Sequence, residues 1–557
     1  MFELPPTRIR GRALRALVSL VRNTPARHAT AQVLRKQLGI DALRALGGDS
    51  RADLPFSLEP RAARADHRRE SQRLGIPTVG DWPRTVDGCR RALASGRLGP
   101  EDLVRRALEA ADQLSARSPS LGPLLDRDDA RALEAARQSA ERLARGELRG
   151  PLEGIPIAIK EEVNVAGLPT RVGTGFLPST PAGEDSVPVR RLREAGAIVI
   201  GTTPMTEYGM SPLGGNVHRV MPRNAHRSDR LPGGSSSGSG VAVATGVVPL
   251  ALGADGGGSI RIPSAYNGVF GIKPTFGRVP VVGHGVPGGS SVVHLGPIGA
   301  SAHDLAVFLE AASGHDERDA SSLAQPRLDP HELTEAIGRG VRGLRIGVDD
   351  DEWAAANPEI RAHGQRALEA LEKEGATLVS VGTRLARHAA AIGYLTIGLE
   401  FLTTLANVRQ SHMDDVGLDL QMFFANLETF RPDDYLDAQR LRAELRAEVA
   451  IVLAGVDVLA LPTTATTAPP VGDADLTDGF VDPAALDAAC RFAFLGNLTG
   501  YPAGTAPVGM DESGLPIGLQ IVGDAWDEAA VLQVLGHLER IGAAHVARPG
   551  AGIDLFG

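Results

Sequence analysis

The sequence predicts an α/β fold, a large mixed and mostly parallel sheet covered by helices on both faces, with a helical N-terminal extension. Three observations carry this. Ile155, Ile157 and Ile159 alternate up to Lys160 as on a half-buried strand. Residues 186–195 then read as a helix stopped by Gly196, and Ala197-Ile-Val-Ile-Gly201 as an apolar strand, an order that builds parallel pairs. Hydrophobic residues make up 43% of the 557-residue chain but aromatics only 4%, which suits a core of Ala, Leu, Val and Ile.

Taken in order, the chain is basic and helical from Thr7 to about Leu46. Arg8, Arg10, Arg12, Arg15 and Arg22 alternate with Ile9, Leu14, Leu17, Val18 and Val21, and Pro25 precedes a second run around Val33, Leu34 and Leu38. Such a helix can lie on an anionic membrane surface. Docking of its apolar face on the main unit or on a second subunit is the more ordinary use. Residues 47–80 are polar and read as a linker. Apolar residues at three-to-four spacing predict helices over 100–114 and 128–146. An irregular, charge-rich connection spans 314–339, and 344–348 and 457–464 read as further strands. Residues 390–430 concentrate Tyr394, Phe401, Met422, Phe423, Phe424 and Phe430 on apolar helices. Packing is the default role for these residues, and an acyl-chain pocket is the alternative.

Two glycine-rich turns carry the chemistry. Leu231-Pro-Gly-Gly-Ser-Ser-Ser-Gly-Ser-Gly240 and Asp255-Gly-Gly-Gly-Ser-Ile-Arg-Ile-Pro263 hold Ser235 and Ser259, 24 positions apart. Gly/Ser runs are commonly linkers, but this one leads into the small, apolar stretch 241–252, which belongs in a core. Free N–H groups in such turns form the anion-binding concavity that an oxyanion hole needs. Gly234–Gly238 also fits the G-x-S-x-G elbow, although no strand precedes it. Lys160, ending its strand opposite the isoleucine face, completes a Ser-Ser-Lys relay in which Ser259 attacks a carbonyl and Ser235 passes the proton to neutral Lys160. At pH 7 an ordinary lysine is neutral only about once in 2,500, a deficit of roughly 4.6 kcal/mol. Burial without a carboxylate partner would make it a base. Glu161 points to the other face, whereas Glu162 shares the parity of Lys160 and opposes its neutrality.

With Lys160, Ser235 and Ser259 in view, the chain resembles the amidase signature hydrolases from about Trp82 to the C-terminus. The likeness includes Gly150-Pro-Leu-Glu-Gly-Ile-Pro-Ile-Ala-Ile-Lys160, Val165-Ala-Gly-Leu-Pro-Thr170, Gly271-Ile-Lys-Pro-Thr-Phe-Gly-Arg278, Gly296-Pro297, Leu461-Pro-Thr-Thr464 and Gly514-Leu-Pro-Ile-Gly-Leu-Gln520. The resemblance implies an amidohydrolase working through an acyl-enzyme, with Ser259 as nucleophile, Ser235 as a bridge held by a cis peptide, and Lys160 as base. It makes the amides of Gly256, Gly257, Gly258 and Ser259 the oxyanion hole, and Asp255 and Arg261 braces of the loop. It divides the chain into an extension and linker, 1–80, and a catalytic domain, 81–557. The serine loops look most similar to plant-type fatty acid amide hydrolases, which also carry a helical N-terminal extension. That subgroup implies a homodimer and acyl or fatty acyl amides as substrate, with Met205, Phe401, Phe423 and Phe424 as candidate contacts. Glu161 stands where the family usually has Asp, and Gly201-Thr-Thr-Pro-Met-Thr-Glu207 departs from a common Gly-Lys-Thr-Asn pattern.

Other classes fare less well. A Ser-His-Asp set can be written with His284 or His294 and Asp255, but nothing in the spacing fixes its geometry. No His-x-x-x-His or Cys/His cluster points to metal, and no cofactor is expected. Cys89 and Cys490 read as reduced thiols. The net charge of −9 carries no nucleic-acid footprint. No run reaches the roughly 20 apolar residues of a membrane span, so a cytoplasmic protein is expected, at most peripheral at a membrane surface. The competing enzyme readings are a glutaminase-type subunit of an amidotransferase, and a general aryl or short-chain amidase, esterase or carbamate hydrolase.

Overall fold

Twelve strands follow in chain order: β1 (Ile9–Arg10), β2 (Pro156–Lys160), β3 (Ile198–Thr203), β4 (Leu250–Asp255), β5 (Phe270–Lys273), β6 (His294–Gly299), β7 (Arg345–Val348), β8 (Thr377–Ser380), β9 (Val458–Pro462), β10 (Phe480–Val481), β11 (Ala503–Met510) and β12 (Pro516–Val522). They come from a computed structural model that describes residues 8–23, 26–37, 39–47, 72–76, 82, 84–286 and 290–557. Ten strands form one sheet in the order β3-β2-β4-β6-β5-β11-β12-β9-β7-β8. In β2, β4 and β12 residues of both parities are buried, so both faces of the sheet are covered. β2 is therefore buried throughout rather than by half.

The sheet is mixed, as expected, but it is less parallel than the strand-helix-strand order implies. Parallel pairing holds β3/β2, β2/β4, β9/β7 and β7/β8 at the two flanks. The five central pairings, β4/β6, β6/β5, β5/β11, β11/β12 and β12/β9, are antiparallel. Two of these pairings follow from chain reversals, β5 to β6 and β11 to β12, and the others join strands distant in sequence, which periodicity does not register.

β3 and β4 flank β2, so the connections leaving β2 and β3 diverge to opposite sides. Open α/β sheets carry their sites at such a switch point, beyond the carboxyl ends of the strands. Lys160 ends β2 and Asp255 ends β4, both at that edge. Between β3 and β4 lies the helix Ser237–Ala244, whose residues are no larger than valine and all buried. A β-carbon on its Gly238 would stand 2.9 Å from the Pro123 carbonyl and collide with Pro204, so that position takes glycine alone. The predicted helices appear as Pro100–Ser115 and Asp129–Arg145, the second capped by the Asp128 side chain and closed by Gly146 at φ 69°.

The N-terminal extension docks on this body through α1 (Gly11–Asn23), α2 (Ala26–Gln37) and α3 (Ile40–Gly47). Leu14, Val18 and Val21 of α1 pack against Met422 and Ala425 of the helix Leu418–Leu427. β1 pairs antiparallel with β10. Arg8 pairs with Asp475 and Asp482, Arg22 with Asp414, Arg27 with Glu428 and Arg44 with Asp434. The apolar face that could have met a membrane is thus spent on the chain's own domain. Pro25 and Leu38 lie outside the described residues, as does the expected linker over 47–80 except at 47 and 72–76. Cys89 and Cys490 are buried and unpaired. Among the described residues no helix is long and apolar enough to cross a membrane.

Candidate active site

Lys160 is 1% exposed, Ser235 2% and Ser259 7%, so of the three only the last keeps appreciable contact with solvent. Lys160 Nζ donates to Ser235 Oγ at 2.7 Å and to the Ala254 carbonyl at 3.4 Å. Ser235 follows a cis peptide after Gly234, and the amide of its neighbour Ser236 donates to the Ser259 carbonyl at 3.3 Å. The inner half of the relay is thereby a hydrogen bond. The outer half is not: among the described residues no group hydrogen-bonds the Ser259 hydroxyl.

The loop after β4 is tied by one buried ion pair. Asp255 accepts from the amides of Gly258 at 2.7 Å and Ile260 at 3.1 Å, from Arg261 Nη2 at 2.9 Å and from Asn497 Nδ2 at 2.8 Å. Burial opposes its charge, yet Arg261, with Asn497, holds its carboxyl well below the usual carboxylate range. Arg261 also donates to the Ala493 carbonyl at 2.7 Å, to Gln520 Oε1 at 2.6 Å and to Asn497 Oδ1 at 2.6 Å. This network corrects one expectation. The Gly258 N–H is committed to Asp255 and is not free for an oxyanion, whereas the amides of Gly256, Gly257 and Ser259 have no hydrogen-bond partner among the described residues. Gly258, at φ 119°, would also press a β-carbon against Ile262 and Ala493.

Lys160 is not without a carboxylate. Glu162 Oε1 lies 2.5 Å from its Nζ, and Glu162 Oε2 lies 3.4 Å from His284 Nε2. Burial pushes the Glu162 carboxyl up, but Lys160 and then His284 outweigh it and hold it at about 2. Glu161 faces the other way, 3.3 Å from Arg219, and burial lifts its carboxyl to about 7. Neither imidazole supports a Ser-His-Asp set. His294 Nδ1 meets the carbonyls of Val292 at 2.7 Å and Asp255 at 3.3 Å, behind the loop, and His284 faces Glu162.

Two cavities lie in this region, and neither is lined by Lys160, Ser235, Ser259 or the turn 256–258. One, of about 700 Å³, is lined by Phe276, His284, Val293, His294, Asp319 and Glu400, among others. The other, of about 110 Å³, is lined by Met210, Leu420, Met422, Phe423 and Phe480 and also by the carboxylates of Glu207, Asp419 and Asp482. It begins one residue beyond Gly209, where a β-carbon would stand 3.3 Å from Ser235 Oγ. Of the four aromatic or methionine candidates only Phe423 lines it. Phe401 and Phe424 are buried in the packing of the surrounding helices, and Met205 is buried with its main chain bonded to Asn216 and Glu161. Sequence reasoning missed Asn497 and Gln520 as loop braces, and His284 as a partner of Glu162. The available signal was a lone polar residue inside an apolar strand, as in Pro516-Ile-Gly-Leu-Gln-Ile-Val522. Among the described residues no three His, Cys, Asp or Glu side chains cluster as metal ligands would.

The profile of the family described as Amidase matches residues 102–532. The chain is similar to the glutamyl-tRNA(Gln) amidotransferase A-subunit of Chloroflexus aggregans, at 33% identity over 491 residues, 84% of this chain and 98% of that one. It is similar in structure to the native peptide amidase of Stenotrophomonas maltophilia, at 27% identity and a TM-score of 0.71, covering 84% of this chain and 98% of that one. A further likeness is to a chain of the vestigial protein complex that reveals the evolutionary origins of an s-triazine catabolic enzyme. There the identity is 31% and the TM-score 0.75, over 83% of this chain and all of that one.

Proposed function

From the premise that this chain belongs to the amidase signature family of enzymes acting on amides, we propose that it cleaves carboxylic amides through an acyl-enzyme on Ser259. The observation that carries the reading is the buried Lys160 Nζ–Ser235 Oγ hydrogen bond of 2.7 Å beside a turn of unpaired amides. Ser259 Oγ attacks the carbonyl carbon as Ser235 receives its proton and hands its own to neutral Lys160. The amides of Gly256, Gly257 and Ser259 stabilise the oxyanion. The proton returns by the same route to the leaving nitrogen, and water repeats the sequence to free the acid. Asp255 and Arg261 keep the turn rigid without touching substrate. In this reading residues 1–80 are an appendage and 81–557 the catalytic domain, a division supported by the span of the family match.

The apolar side of the small cavity, Met422, Phe423 and Phe480, supports an apolar acyl group, the substrate class of the fatty acid amide hydrolase subgroup, although Glu207, Asp419 and Asp482 line the same cavity. A second reading is favoured by the 33% identity to one component of an amidotransferase, over 98% of its length: a glutaminase that supplies ammonia to a partner. Homodimer or hetero-complex is then the discriminating property, since the chemistry is shared.

The test is hydrolysis of p-nitroanilides from acetyl to lauroyl, and of glutamine, by wild type and by Ser259→Ala, Ser235→Ala and Lys160→Ala, with solution mass measured alongside. Rates that rise with acyl length support the acyl-amide reading, and glutamine turnover that requires an added partner supports the second. Amide hydrolysis that survives in Ser259→Ala refutes both.

A further inference from the structure

Lys160 Nζ donates to Ser235 Oγ at 2.7 Å and to the Ala254 carbonyl at 3.4 Å, and Glu162 Oε1 stands 2.5 Å away as an ion-pair partner. This shell suits the charged form, whereas a base must start neutral. The nearest opposing charge therefore governs how often Lys160 is ready to react. We propose that Glu162, held by His284, is a positioning residue that sets the proton affinity of Lys160 and so the acid limb of the enzyme's pH profile. The inference rests on the proposed role of Lys160 as base.

The geometry isolates this pair. Asp255, one residue beyond the Ala254 carbonyl, is committed to Arg261 and Asn497. Glu161 leaves the opposite side of the strand for Arg219. The turn Glu207–Gly209 packs against Glu162, and its one carboxylate, Glu207, pairs with His218 at 3.0 Å and accepts from the Gly417 amide at 2.8 Å. Its Tyr208 phenol is pushed up by burial and stays neutral. His294 is bonded to carbonyls. Around His284, Arg318 pairs with Asp316, Asp319 accepts from the Val281 amide, and Glu400 accepts from Ser290, Ser291 and Tyr435. Glu162 is left as the carboxylate in contact with Lys160, and His284 as the group that shares its charge.

His284 is held in place by backbone: Val163 and His284 form an antiparallel bridge, and the Gly285 amide donates to the Glu162 carbonyl at 2.6 Å. It also lines the larger cavity, so it connects the buried pair with solvent. Glu162 stays ionised between Lys160 and His284 and acts on Lys160 through its charge, so no proton passes along the pair. A carboxylate this close favours the ammonium, and drawing its charge toward the imidazole relaxes that hold.

The test is kcat/KM against pH for wild type, Glu162→Gln, His284→Gln and Lys160→Ala with one p-nitroanilide. Glu162→Gln is expected to move the acid limb down by about one to three pH units, with KM changed less than kcat. His284→Gln keeps the carboxylate, removes its partner, and moves the limb up. A purely structural role would lower activity at every pH and leave the limb in place. If neither variant moves the limb while Lys160→Ala is inactive, this inference alone is overturned. Activity that survives in Lys160→Ala overturns it together with the base assignment.

Discussion

Replacing Gly257 by alanine tests the oxyanion turn with one carbon atom. A β-carbon there would stand 2.5 Å from Phe494 Cε1 and closer still to Cζ, where carbon atoms need about 3.5–4.0 Å. The ring has little room to retreat, since a β-carbon at Gly393 would also collide with it and its edge meets Tyr394 at 5.2 Å between centroids. The turn itself must move. Overpacking of this kind costs about 1–3 kcal/mol of stability, and displacing one oxyanion donor lowers kcat by about 10²–10³-fold. Urea denaturation midpoints and kcat on a p-nitroanilide read the two effects separately. Phe494→Leu removes the colliding ring atoms, so Gly257→Ala/Phe494→Leu is expected to recover part of both losses. Wild-type kcat in Gly257→Ala, or a double variant no better than the single, would refute the placement of an oxyanion donor at 257.

Arg261→Met leaves the Asp255 carboxylate buried without its cation and is expected to cost about 3–5 kcal/mol at pH 7. Because Asp255 is depressed in the folded protein, its contribution is full above the ordinary carboxylate range and is lost as pH falls through the folded value. The gap between variant and wild type, read by urea midpoints, should therefore persist down to about pH 4 and narrow only below it. Asp304 behaves oppositely. Burial raises its carboxyl to about 8, and its Oδ2 has no partner. The folded state then keeps a proton that the unfolded state gives up above about pH 4, so wild-type stability should fall between pH 5 and 8, and Asp304→Asn should flatten that slope. Leu14→Ala empties a fully buried position between α1 and the domain and should cost about 2–5 kcal/mol, without changing retention on anionic vesicles. Tighter vesicle binding by wild type than by the variant would revive a membrane role for α1.

The strands and helices between Pro100 and Gly201 are legible because their signals are local: isoleucine alternation, an Asp cap, a Gly stop. The serine turns are legible for the same reason, since glycine density is written in consecutive residues. What escapes is whatever depends on distant residues meeting. The antiparallel middle of the sheet joins residues as far apart as Gly271 and Thr505, and nothing in β5 announces that β11 will lie beside it. Strand parity alone marks Glu162 as a threat to the neutrality of Lys160, but the imidazole on its other oxygen comes from 122 positions downstream. The Gly258 amide illustrates the limit most simply: a glycine-rich turn offers donors, and only the position of Asp255 decides which of them is already taken.

The N-terminal extension follows from the same reasoning, and its place bears on substrate choice. Its Arg-rich face looks ready for an anionic surface, yet the partners it finds are Asp414, Glu428, Asp434, Asp475 and Asp482. Asp414 and Glu428 flank the helix Leu418–Leu427 and Asp482 follows strand β10, elements that supply Met422, Phe423 and Phe480 to the small cavity, whereas Asp434 and Asp475 sit on neighbouring helices. Exposed ion pairs are each worth little, but Asp434 and Asp475 are buried, so these pairs fix the extension firmly beside the elements that line the small cavity. α1 adds Leu14, Val18 and Val21 behind Met422 on one wall of that cavity. An extension that braces a pocket wall should affect KM for bulky acyl groups before it affects kcat for small ones, because Lys160, Ser235 and Ser259 stand on β2 and the loops flanking β4 and not on the clamped elements.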